Sequence, residues 1–109
     1  MESTFPVTVS LRTEHADVGS LERVVGTALA EVGQRLWTHL VSELERTLPR
    51  PLECRGCGGS LKANGRAARR LVTLAGEVEL RRQRYRCRDC AREVVPLDEA
   101  LGLEPRPQH

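Results

Sequence analysis

A chain of 109 residues with one Trp, one Tyr and one Phe cannot build a large aromatic core, so it reads as one domain or as a small module with a helical extension. No apolar run approaches the ~18 residues of a transmembrane helix, and the start has neither the basic nor the apolar region of a signal peptide; the expectation is a cytoplasmic protein without a membrane anchor. The net charge of +2 hides an uneven distribution: residues 1–53 carry 5 basic and 8 acidic side chains, residues 54–92 carry 11 and 3, and residues 93–109 carry 1 and 4.

In chain order, residues 1–16 read as an arm or an edge strand. Phe5, Val7, Val9 and Leu11 alternate with polar residues, and Pro6 confines any strand to an edge or to its first residue. Asp17 or Ser20 is placed to cap a helix over 17–48. Its apolar positions, Leu21, Val24, Val25, Ala28, Leu29, Val32, Leu36, Leu40, Val41, Leu44 and Leu48, keep i, i+3, i+4 spacing for about four heptads. A helix of that length spans roughly 45 Å. The rest of the chain is too small to cover such a stripe, so either the helix breaks near Gly26 or Gly33, or its apolar face meets another chain or a missing domain. Pro49 and Pro51 end it.

Residues 52–95 hold all four cysteines, as Cys54-Arg55-Gly56-Cys57 and Cys87-Arg88-Asp89-Cys90. Between them, Asn64-Gly65 is a turn signal, and Arg69–Leu74 with Glu77–Cys87 read as two strands joined at Ala75-Gly76. Tyr85 has the opposite parity to Val78 and Leu80, which predicts a bulge or strong twist at Arg81–Gln83. Residues 96–109 form a short apolar element, Pro96–Leu103, and a tail. The fold class is therefore α+β: a long N-terminal helix followed by a small zinc ribbon of two C-x-x-C knuckles and a β-hairpin.

Two matched C-x-x-C pairs in an unexported chain point to metal rather than to disulfides. Cys54, Cys57, Cys87 and Cys90 are the expected ligands of one structural zinc ion, which favours four soft donors in a tetrahedron. Gly56, Gly58 and Gly59 ease the first knuckle. The second has Ala91 after its last cysteine and is expected to be the more strained. Four protein sulfurs leave no position for water, which argues against catalysis and against a small-molecule substrate. His15, His39 and His109 are scattered and are not expected to be ligands.

Arginines crowd the hairpin. Arg66, Arg69, Arg70, Arg81, Arg82, Arg84 and Arg86 are the candidate nucleic-acid contacts, with Arg82, Arg84 and Arg86 on one face at period 2. Four thiolates and a zinc ion still leave the middle segment at about +6. Such a field suits a polyanion, and DNA is the expected partner. Tyr85 alone can stack on a base, so a single-strand stacking platform is not expected.

The string from Leu48-Pro-Arg-Pro through Cys54-x-x-Cys57-Gly-Gly, Gly65-Arg-x-x-Arg-Arg-x-Val-Thr-Leu-x-Gly-Glu-Val-Glu-Leu80, Arg84-Tyr-Arg-Cys87-x-x-Cys90 and Pro96-Leu-Asp-Glu-x-Leu-Gly-Leu103 resembles the N-terminal region of bacterial insertion-sequence transposases of the ISKra type. Ala91, where glycine is frequent, is the main departure. The resemblance implies DNA binding in transposition. It also implies a following RNase-H-like catalytic domain, which has no counterpart here, so the chain reads as non-catalytic: a fragment of a truncated element first, or else an N-terminal domain made as a separate piece or a small protein derived from one. Two other readings stand beside this one. Helix 17–48 is an assembly surface for a second copy or a catalytic subunit, with the ribbon as a cap; or the chain is a remnant without function.

Overall fold

The computed structural model describes residues 1–104, so the tail from residue 105 onward, His109 included, lies outside the described residues. It is α+β. Helix α1 (Val18–Thr47) precedes strands β1 (Leu61–Thr73), β2 (Gly76–Cys87) and β3 (Glu93–Val94), and a short helix α2 (Pro96–Ala100) follows. The strands form one antiparallel sheet in the order β1-β2-β3, with Tyr85 opposite Val94 and Arg86 opposite Glu93. Residues 1–40 with 70–80 form one compact unit, and residues 41–69 with the chain from Arg81 onward form the other. The units cut across the sequential segments because both α1 and the β1–β2 hairpin are long enough to contribute to each.

In the first unit, Asp17 rather than Ser20 caps α1. Its carboxylate accepts the Ser20 N–H at 3.0 Å and the Ser20 hydroxyl at 2.8 Å. The first turn of a helix leaves its N–H groups without partners, and an Asx side chain supplies one. The Ser20 hydroxyl, and after it the Ser20 N–H, hold the Asp17 carboxyl below its ordinary value. The helix does not break. Gly26 and Gly33 lie inside a continuous 30-residue element. Gly33 is there for space: a Cβ on it would sit 2.7 Å from the Cβ of Ala75 in the hairpin turn. The next residue, Gln34, docks the helix on β2. Its amide donates to the Glu79 carbonyl and accepts the Glu79 N–H, both at 2.8 Å, as a neighbouring strand would.

The N-terminal segment is no strand. It lies as an arm on α1, where the Phe5 ring stacks on His39 with centroids 4.5 Å apart and Ser3 bonds His39 at 2.5 Å. At the far end of this unit, Thr73 closes the hairpin turn: its hydroxyl donates to the Gly76 carbonyl and accepts the Ala75 N–H. Val78 and Leu80 point inward, each 1 % exposed, while Val72 and Leu74 face solvent at 89 % and 110 %.

In the second unit the hairpin runs further than its sequence suggests. β1 begins at Leu61, so Asn64-Gly65 is not a chain reversal. Gly65 has φ +76° within the strand, a local irregularity of the kind a bulge requires. In β2 the buried positions are Val78, Leu80 and Arg82, then Cys87. The inward parity thus shifts after Arg82, close to where a bulge or twist is expected. Asp98 of α2 is buried and holds two arginines. Its Oδ1 accepts Arg82 Nε at 2.9 Å, and its Oδ2 accepts Arg82 Nη2 and Arg69 Nη1, both at 3.1 Å. Arg82 and Arg69 also donate to the carbonyls of Ala67 and Glu104. Every charge in this cluster is hydrogen-bonded, as burial requires.

Candidate metal centre and basic surface

The two knuckles repeat one backbone design. The N–H of Cys54 donates to the Gly59 carbonyl at 2.8 Å and the N–H of Gly58 donates to the Cys54 carbonyl at 2.7 Å. In the second knuckle the N–H of Cys87 donates to the Arg92 carbonyl at 2.9 Å and the N–H of Ala91 donates to the Cys87 carbonyl at 3.1 Å. Both turns need a positive φ one residue past the second cysteine, supplied by Gly58 at +74° and by Ala91 at +61°. Gly58 takes that conformation freely. Ala91 crowds its Cβ against the backbone. Replacing Ala91 with Gly is therefore expected to raise the stability of the metal-loaded protein by about 1 kcal/mol, because relief of the left-handed strain exceeds the entropy that glycine adds to the unfolded chain. Urea titration at fixed metal concentration reads it; no gain, or a loss, would show that the Ala91 turn carries no strain.

The fold brings all four predicted ligands together. The sulfurs of Cys54, Cys57, Cys87 and Cys90 lie within 4.8 Å of one another, with Cys54 to Cys90 at 3.6 Å and Cys57 to Cys87 at 3.4 Å. Four sulfurs about 2.3 Å from a tetrahedral ion are roughly 3.8 Å apart. The donor set and spacing therefore fit a metal ion. Cys54 and Cys87 are buried; Cys57 and Cys90 are exposed.

The sulfurs differ in their surroundings. The N–H groups of Cys57 and Gly56 point at Cys54 and draw its thiol down to about 7. Those of Cys90 and Asp89 lower Cys87 likewise. Cys57 receives the Gly59 N–H, yet the sulfurs of Cys87 and Cys90, burial and Cys54 together push it up to about 12. Cys90 receives the Arg92 N–H and is also raised, Cys54 being the main opposing group. Each knuckle thus favours one thiolate, while the crowd of sulfur resists a second. A divalent cation at the centre would remove that conflict. Gly59 is confined by the same cluster: a Cβ there would come within 3.0 Å of the Cys87 sulfur.

The arginines are distributed otherwise than their spacing suggests. Arg82 is 5 % exposed and, with Arg69, is committed to Asp98, so neither is presented to a phosphate. Arg66 pairs with Glu45 at 2.8 Å, Arg70 with Glu77 at 3.3 Å and Arg84 with Glu93 at 3.4 Å. Of the seven candidate contacts, Arg81 and Arg86 alone are exposed without an acidic partner among the described residues. The period-2 face of Arg82, Arg84 and Arg86 does not form: Arg82 continues the inward alternation of Val78 and Leu80, where Asp98 of α2 receives it, and the parity shift comes only after it, so Arg84 and Arg86 do not follow it inward. Lys62, Arg88 and Arg92 complete the set of unpaired ribbon cations. Arg88 and Arg92 stand beside the cysteines of the second knuckle, and Lys62 stands at the start of β1. Tyr85 is half-buried beside Cys54, Leu61 and Cys87, with the Arg50 guanidinium 5.9 Å from its ring centre, so it is no free stacking platform.

Comparison with protein-family models, with curated proteins and with solved structures returns no match. Among the described residues, no helix is long and apolar enough to cross a membrane.

Proposed function

We propose that this chain is a non-catalytic DNA-binding module built on a zinc ribbon, similar to the N-terminal part of ISKra-type transposases. One zinc ion held by Cys54, Cys57, Cys87 and Cys90 clamps the two knuckles. The observation that carries the reading is the convergence of four sulfurs at metal-binding distance on a ribbon that keeps Lys62, Arg81, Arg86, Arg88 and Arg92 free of acidic partners. A four-sulfur site has no open coordination position, so its role is structural. The free cations are suited to a phosphate backbone, where they release counterions on binding.

Five phosphate contacts imply a log–log salt slope of about −4.5, so affinity for a labelled duplex is expected to fall roughly 500-fold between about 50 and 200 mM salt. A zinc-loaded protein that binds no duplex at low salt, or binds with a flat salt response, would remove the DNA reading.

One observation favours a second reading, self-assembly through α1. Val18, Leu21, Val25, Leu29, Leu36 and Leu40 are between 42 % and 81 % exposed. With Val32 they follow a 3-4-4 spacing that repeats every 11 residues, which keeps an apolar seam nearly straight along a helix. Such a seam suits an identical helix of a second copy. The native mass should then rise with concentration, and Leu29→Asp should hold the protein as a monomer while leaving its zinc content unchanged. A wild-type mass independent of concentration would end this reading.

A further inference from the structure

We infer that the groove beside the second knuckle is a phosphodiester site, which deepens the DNA-binding reading and rests on it. The groove encloses about 400 Å³ and is lined by Lys62, Ala63, Asn64, Arg86, Cys87, Arg88 and Ala91. Lys62 comes from β1, Arg86 from β2 and Arg88 from the knuckle turn, and all three are exposed. None of them has a carboxylate within ion-pair distance among the described residues, whereas Arg55, Arg66, Arg69, Arg70, Arg82 and Arg84 each have one. Like charges gathered on adjoining strands repel one another. Six ribbon arginines relieve that repulsion with intrachain acids; in this groove it is left standing.

The lining fits a phosphate diester. Two guanidinium forks and an ammonium suit anionic oxygens, and the Asn64 amide adds a neutral donor. Ala63 and Ala91 add little bulk to the lining. There is no aromatic in the lining, so the site takes backbone rather than bases. A zinc–thiolate centre carries a charge of −2 beside Cys87, and these cations partly offset it. That offset is the competing explanation, and it predicts loss of metal rather than loss of DNA when the cations are removed.

The test uses the zinc-loaded full chain and a labelled duplex at several salt concentrations. The variant is Lys62→Gln with Arg86→Gln and Arg88→Gln. The control is Arg55→Gln with Arg66→Gln and Arg70→Gln, which removes the same charge from paired arginines. The groove variant is expected to bind at least about tenfold more weakly and with a slope shallower by about 2.7, while the control stays close to wild type. Equal losses in the two triple variants would reduce the effect to net charge and overturn the site, as would a groove variant that holds zinc and binds like wild type. Should the groove variant lose zinc, Lys62→Gln alone takes its place; its slope must then fall by about 0.9. Should wild type bind no duplex, inorganic pyrophosphate followed by amide shifts decides the groove separately. Shifts confined to residues 62–64 and 86–88 keep it as an anion site; their absence ends it.

Discussion

Removing the metal is expected to unfold the knuckles and the strands that join them. Seven apolar side chains are buried among the described residues: Val41, Cys54, Leu61, Val78, Leu80, Cys87 and Leu97. Around the knuckles the buried cluster is Cys54, Leu61 and Cys87, with Tyr85 and Val94 half-covered, so two of its three buried members are candidate ligands. A buried leucine contributes about 1.5–3 kcal/mol, while ordering each residue costs about 1–2 kcal/mol of backbone entropy. Such a cluster does not order two turns and their strands by itself. A four-thiolate zinc site supplies on the order of 10–16 kcal/mol, and that binding energy becomes folding energy. Chelation, or Cys87→Ser, should therefore abolish exchange protection at the N–H groups of Cys54, Gly58, Cys87 and Ala91, which hold the two turns. Protection that survives chelation at these four amides would show that the ribbon folds without metal.

The second large effect is expected at Asp98. The side chains of Asp98, Arg82 and Arg69 are 9 %, 6 % and 13 % exposed. Asp98→Asn leaves the Arg82 guanidinium buried without its counter-charge, and breaking such a pair costs about 3–5 kcal/mol. The exposed pair Arg70–Glu77, 73 % and 58 % exposed, is the internal comparison. Glu77→Gln should cost no more than about 1 kcal/mol. Urea unfolding of the two zinc-loaded variants measures both. A similar small loss for each would mean that Asp98 does not hold α2 to the hairpin. Arg82→Met with Asp98→Leu is expected to recover much of the loss, because a well-packed apolar pair replaces a buried ion pair at little cost.

The exposed apolar stripe of α1 and the groove cations answer different questions. The stripe bears on assembly, the groove on what the assembled protein would hold. Because Lys62, Arg86 and Arg88 belong to the second compact unit and the stripe belongs to the first, Leu29→Asp and the groove substitutions can be read independently.

The clustering of the four sulfurs was legible in the chain itself, because two C-x-x-C pairs suit one tetrahedral site. The long helix was legible too, since its apolar period persists from Leu21 to Leu48 and prolines follow it. Strain in the second knuckle was visible as an alanine where the turn requires a positive φ. The fate of the arginines was not visible. Arg82 follows Val78 and Leu80 inward, and the parity shift after it separates it from Arg84 and Arg86, which a regular strand would have kept on its face. The net charge of +8 over residues 54–92 assumed that the acids of the flanking segments stay apart, yet Glu45, Glu93, Asp98 and Glu99 come from those segments and meet ribbon arginines. Gly33 carried no mark distinguishing a helix break from a close approach, and Asn64-Gly65 none distinguishing a turn from an irregular strand. Local patterns determine which residues can bind a metal or form a helix; which charges remain free depends on contacts between residues far apart in sequence, and the tertiary structure alone decides those.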